Sequence, residues 1–148
     1  MELQADFRDL LASFNGRGVE YLIVGGYALA FHGAPRYTGD LDLLIRPTGE
    51  NARRVLAALV DFGFADLDLV EDDFTAPGKV VQLGVPPVRV DLMTSISGVT
   101  WDDAHASRAP GRYGELEVEF IGRDAFVANK RASGRARDLA DLEDLGES

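Results

Sequence analysis

An α/β or α+β sandwich is the fold class that this sequence predicts, on three observations. Apolar residues recur at helical spacing in two well-separated stretches, 6–14 and 50–62. Short β-branched runs lie between them and end at Gly or Pro turns. The 148 residues are 46% hydrophobic, an ordinary content for one domain with its own core, so the whole chain 1–148 is expected to form one domain.

In order along the chain, Phe7, Leu10, Leu11 and Phe14 line one face of a first helix over 6–14, which Asn15-Gly16-Arg17-Gly18 stops. Residues 19–24 form a short strand ending at Gly25-Gly26, and 27–32 suit a short helix. A strand is expected over 37–45, followed by a Pro47-Thr48-Gly49 turn into the helix 50–62 and a stop at Gly63. The segment 66–73 carries five carboxylates without a clean period and reads as a solvated acidic loop or edge segment. Two strands, 79–83 and 88–96, flank the Gly84-Val85-Pro86-Pro87 turn, and a third covers 116–121, with a short helix over 101–108 between them. The tail 123–145 reads as two helices broken at Ser133-Gly134.

Composition narrows the chemistry. With no cysteine and two histidines, neither a disulfide framework nor a thiolate or His-rich zinc centre is available, so any metal must use oxygen ligands. The N-terminus lacks the basic start and apolar run of a signal peptide, and no stretch nears the ~20 apolar residues that span a bilayer. No membrane partner and a cytoplasmic location are therefore expected. A net charge of −10 opposes non-specific attraction to nucleic acid or anionic lipid unless a local basic patch overrides it.

The informative stretch is 24–45. Residues i and i+2 of a strand share a face, so Asp40 and Asp42 stand side by side while Leu41 and Leu43 point into the core. Adjacent carboxylates repel, which raises a pKa or calls for a divalent cation, and Mg²⁺ prefers such hard oxygen ligands together with substrate phosphate. Asp91 interrupts a later apolar strand, sharing one face with Arg89 while Val90 and Leu92 take the other. If the two strands are neighbours, the three carboxylates can hold two Mg²⁺ ions of the kind that in-line displacement at phosphorus uses. Gly25 and Gly26 supply the complementary part, a backbone free to approach phosphate at a helix start.

These residues resemble the polymerase-β-like nucleotidyltransferase superfamily, whose pattern is Gly-Gly or Gly-Ser at a helix start, Asp-x-Asp on a strand and a third Asp on another strand. The run from Gly25 to Ile45, with His32-Gly33 and Arg36-x-Thr38-x-Asp40-x-Asp42, looks most like the small bacterial branch of AbiEii-type toxins. The segment Lys130 to Leu142 is similar to that branch's Lys…Arg-x-x-Asp-Leu-x-Asp-Leu signature. The resemblance implies a mixed β-sheet flanked by helices, with short C-terminal helices. It implies an NTP substrate with Mg²⁺, replaceable by Mn²⁺, bound by Asp40, Asp42 and Asp91 as the catalytic carboxylates. Gly25, Gly26, Tyr27, Arg36, Thr38 and Lys130 fall at its nucleotide-binding positions, and Asp138 or Asp141 would organise Lys130. Tyr27 departs from the Ser or Thr that many members carry.

The acceptor implied is tRNA, protein or a small hydroxylated molecule. Its recognition falls to the core, to a second subunit of a homo-oligomer or to a partner protein such as a cognate antitoxin. The rival reading is a non-catalytic nucleotidyltransferase-fold module that binds nucleotide or protein. Trp101 and Tyr113 are each expected to pack in the core before stacking on a base, and His32 to be packed or exposed before acting as a base.

Overall fold

The computed structural model describes residues 5–34, 39–64, 68–85 and 88–147. The chain runs α1 (Ala5–Gly16), β1 (Tyr21–Val24), α2 (Gly25–Phe31), β2 (Asp40–Ile45), α3 (Gly49–Phe62), β3 (Val80–Val85), β4 (Val88–Met93), α4 (Trp101–Ala106), β5 (Ala109–Tyr113), β6 (Leu116–Phe120), α5 (Arg123–Ser133) and α6 (Ala136–Asp144). The strands build a six-stranded mixed sheet in the order β3-β4-β2-β1-β6-β5. The β2–β4 and β1–β6 pairs are parallel, whereas β1–β2, at the centre, and β3–β4 and β5–β6 are antiparallel. The expected class, a mixed sheet flanked by helices, is the observed one.

The buried face is written in the sequence period. Phe7, Leu10, Leu11 and Phe14 of α1 are buried, as are Val55, Ala58 and Leu59 of α3. These two helices pack on each other, and the Ser13 hydroxyl donates to the Ala58 carbonyl at 2.7 Å. Leu41 and Leu43 of β2 are fully buried while Asp40 and Asp42 between them are only partly so, which places both carboxylates on the sheet's other face.

Asn51 ties α3 to the sheet. Its amide nitrogen donates to the carbonyls of Glu20 and Arg46, each at 3.0 Å, and its side-chain oxygen accepts from the Glu20 backbone N–H at 2.8 Å. Because Asn51 is buried, Asn51→Ala should lower stability by about 2–3 kcal/mol, as each backbone group left unsatisfied costs ~1–3 kcal/mol. Chemical denaturation measures this, and a loss under ~0.5 kcal/mol would mean water replaces the amide.

Two elements differ from expectation. The acidic segment is not all loop: a 3₁₀ turn spans Glu71–Phe74, with Asp73 accepting from the Val70 backbone N–H at 2.9 Å and Phe74 fully buried. Asp66 lies outside the described residues. The second difference is β5, an additional strand whose Ala109-Pro110-Gly111 start reads as a breaker. Proline is tolerated there because β5 is an edge strand. Glycine is required because Phe31 and Phe120 stack at 4.1 Å beside it, and a Cβ on Gly111 would press both rings at 2.8 Å.

Candidate active site

The end of β1, the first turn of α2 and the start of β2 form one wall, and α5 and α6 form the opposite wall; Met93 is the residue that β4 adds to the lining, in which Asp91 does not figure. Between them lies a cleft of about 570 Å³ that includes Gly25, Gly26, Asp40, Asp42, Lys130 and Arg137 in its lining. That volume suits a nucleotide-sized ligand.

Register brings the acids together. Asp42 of β2 is the Cα partner of Asp91 on the parallel strand β4, and Asp40 is the partner of Arg89. Gly25 closes in from the side: it has φ of +67°, and a Cβ there would overlap the Asp42 carboxylate. Only glycine meets both demands, so the spacing between the Gly pair and the Asp-x-Asp strand corresponds to a direct contact. The Asp42 carboxyl is pushed up to about 6, first by burial and then by the negative charges of Asp91 and Asp40, with Lys130 and Arg137 pulling the other way.

Asp91 is buried and its carboxylate is gripped by Arg89, with Nε–Oδ1 at 3.0 Å and Nη2–Oδ2 at 3.1 Å. Lys130 is also buried, its ammonium 3.2 Å from Asp138, 3.1 Å from Asp141 and 5.3 Å from the centre of the Phe126 ring. Arg135 closes on the same Asp138 carboxylate at 2.8 Å. Lys130 therefore joins α5 to α6 as well as lining the cleft.

Tyr27 is placed differently. Its side chain is 2% exposed and packs edge-on against Phe7 and Tyr113, at 6.1 and 5.8 Å between ring centres. The ring belongs to the core because α2, apolar along its length, buries the consecutive residues Tyr27, Ala28 and Leu29. His32 and Tyr113 also pack, with the His32 ring nitrogen 2.7 Å from the Ile121 carbonyl oxygen, while Trp101 stacks on His105. Arg36 and Thr38 lie outside the described residues.

Among residues the sequence reading gave no role, Arg137 stands out. It is exposed, lines the cleft, has no ion-pair partner among the described residues and attracts Asp42. Its signal in the sequence is its place two residues beyond Arg135 in the segment Lys130 to Leu142. Ser95, Ser97 and Asn129 add to the polar lining, and the sequence carries no signal for them.

The donor chemistry fits a divalent cation, since Asp40 and Asp42 offer hard oxygens from one face of one strand and the crowding that lifts the Asp42 carboxyl is what a cation would relieve. Among the described residues, however, no group of three or more His, Asp or Glu side chains stands ready to hold a metal.

Comparisons with known proteins bear on the family and the fold. The family profile described as "Nucleotidyl transferase AbiEii toxin, Type IV TA system" matches residues 8–132. No curated protein matches the sequence significantly. Among solved structures, a nucleotidyltransferase candidate of Thermotoga maritima, TM1012, superposes with a TM-score of 0.62 at 14% identity, covering 96% of this chain and 93% of that one. The lincosamide antibiotic adenylyltransferase LnuA, solved with lincomycin bound, gives a TM-score of 0.57 at 13% identity over 99% and 98% of the two chains. At these identities the likeness is one of fold.

Proposed function

Because the chain belongs to the AbiEii nucleotidyltransferase toxin family, we propose that it moves a nucleoside monophosphate from an NTP to an acceptor hydroxyl in a Mg²⁺-dependent reaction. The observation that carries this reading is the convergence of Asp40, Asp42 and Asp91 by strand register, with Gly25 against the Asp42 carboxylate. In the transfer, the acceptor oxygen forms a bond to the α-phosphorus, the bond to the β-phosphate oxygen breaks and pyrophosphate leaves, while the hydroxyl proton passes to a carboxylate of the cluster.

Asp40 and Asp42 would hold the divalent cation, which when bound supplies charge neutralisation at the phosphates. Gly25 and Gly26 let the triphosphate approach the backbone at the start of α2. Arg137, exposed on the facing wall, gives the phosphates a cation that is not already committed. Arg137→Ala should therefore raise KM for the NTP about tenfold with little change in kcat, the size of one lost charge-assisted hydrogen bond; an unchanged KM would remove Arg137 from the nucleotide site.

As a toxin family of a type IV toxin–antitoxin system, the match brings an antitoxin as the genetic partner. We place the enzyme in the cytoplasm with tRNA or protein as acceptor. No helix among the described residues is long and apolar enough to cross a membrane. The test is transfer of label from each α-labelled NTP to total tRNA, to cell extract and to the protein itself, with Mg²⁺ or EDTA. Label that requires Mg²⁺ and intact Asp42 supports the reading, and label on none of the three from folded protein overturns it.

A further inference from the structure

We propose that Arg89 is the resident counter-ion of the acid cluster, withholding Asp91 from a divalent cation until nucleotide arrives. This rests on the metal-dependent reading above and adds a positioning residue to it.

Four charged residues form a patch on one face of the β2–β4 pair, with Asp40 opposite Arg89 and Asp42 opposite Asp91. Three are acidic, and the single cation sits at one corner. Its guanidinium is not shared evenly. Both hydrogen bonds go to Asp91, two residues along the same strand, in the parallel fork that fits a carboxylate best. The carboxylate of Asp91 is thus satisfied along β4 rather than across to Asp42, although the backbones place Asp42 and Asp91 side by side. The cluster that backbone register assembles offers no ready three-ligand group among the described residues.

The clamp is built to open. The Arg89 side chain is 31% exposed against 10% for Asp91, so the guanidinium has a route outward while the carboxylate stays. A triphosphate offers the same fork an equivalent partner, because Arg engages phosphate and carboxylate with one geometry. Arg89 can then exchange carboxylate for phosphate as a cation takes its place at Asp91, and the buried acid is never left without a positive neighbour. Nucleotide and the cation at Asp91 would bind with positive coupling, each removing an obstacle to the other.

The test counts Mn²⁺ bound to nucleotide-free protein by electron paramagnetic resonance titration, in the wild type, Arg89→Gln, and Arg89→Gln with Asp91→Asn. Arg89→Gln is expected to bind a further Mn²⁺ ion, or to bind Mn²⁺ about tenfold more tightly, given the strength of a unit charge a few ångströms away. The added Asp91→Asn should erase the gain. Mn²⁺ should also raise the Tm of Arg89→Gln more than that of the wild type, a difference that a purely structural arginine would not create. Should Arg89→Gln fail to fold, Arg89→Lys keeps the charge without the fork and should show a smaller gain in the same direction. Identical Mn²⁺ uptake by folded variant and wild type would overturn the clamp and leave the metal reading standing. No uptake by any form, even with a non-hydrolysable NTP present, would overturn both.

Discussion

Asp42→Asn is expected to abolish nucleotidyl transfer while making the metal-free protein more stable. The loss follows from the place of Asp42 at the centre of the site, in register with Asp91, beside Asp40 and against Gly25. A cation held there contributes several kcal/mol of transition-state charge stabilisation, so the rate should fall on the order of 10³-fold or more. The gain has the same origin. Without a cation the partly buried Asp42 carboxylate faces the like charges of Asp91 and Asp40, which Lys130 and Arg137 only partly offset. An amide of nearly the same shape removes that repulsion, and about 1–3 kcal/mol is the expected increase. Labelled transfer and chemical denaturation of the two proteins measure both halves. Unimpaired turnover would remove Asp42 from the mechanism, and a loss of stability would mean that its hydrogen bonding outweighs its repulsion.

The same group sets a pH dependence. The Asp42 carboxyl is raised from 3.8 to about 6 in the folded chain, so the folded state binds its proton more tightly than the unfolded state does. Stability of the metal-free protein should therefore carry a penalty above pH about 6 that is relieved as the pH falls from about 6 to about 4. The difference between those values corresponds to roughly 3 kcal/mol at most. Asp42→Asn should flatten this window. A divalent cation, by favouring the charged carboxylate, should move it to lower pH.

How much of this was legible beforehand depended on whether a residue's role was local. Asp40, Asp42 and the Gly pair could be read because a strand's two-residue period and a glycine before a helix fix direction without knowledge of neighbours. That Asp91 stands opposite Asp42 required β2 and β4 to be parallel neighbours, which spacing cannot supply and only the sheet order reveals. The strand β5 was hidden because Pro110 and Gly111 argue against a strand unless it lies at an edge beside stacked rings. A two-residue loop, Gly114-Glu115, between Tyr113 and Leu116 was the available hint. Tyr27 shows the converse: its position in the motif suggested the nucleotide, yet the helical period that turns it toward Phe7 and Tyr113 decided where its ring lies.

Lys130 is where motif and packing make opposing forecasts, and a substitution separates them. A phosphate ligand should be exposed toward the cleft and dispensable for folding, whereas Lys130 is 7% exposed and held between two buried carboxylates. Burial works against charge on Asp138, but Arg135 and Lys130 together hold its carboxyl below the usual range. Removing one partner of a buried ion pair typically costs ~3–5 kcal/mol because the remaining charge stays desolvated. Lys130→Met, which preserves the aliphatic stem against Phe126, should lose about that much at neutral pH, and Arg135 should soften the loss only for Asp138. Because the depressed Asp138 carboxyl adds stability above its unfolded pKa and loses it as the pH falls through the folded value, the gap between variant and wild type should narrow in acid. A folded, equally stable Lys130→Met with a raised KM for NTP would instead make Lys130 a phosphate ligand alone. Loss of stability together with a raised KM would mean that the α5–α6 wall is held in place by the same ammonium that meets the nucleotide.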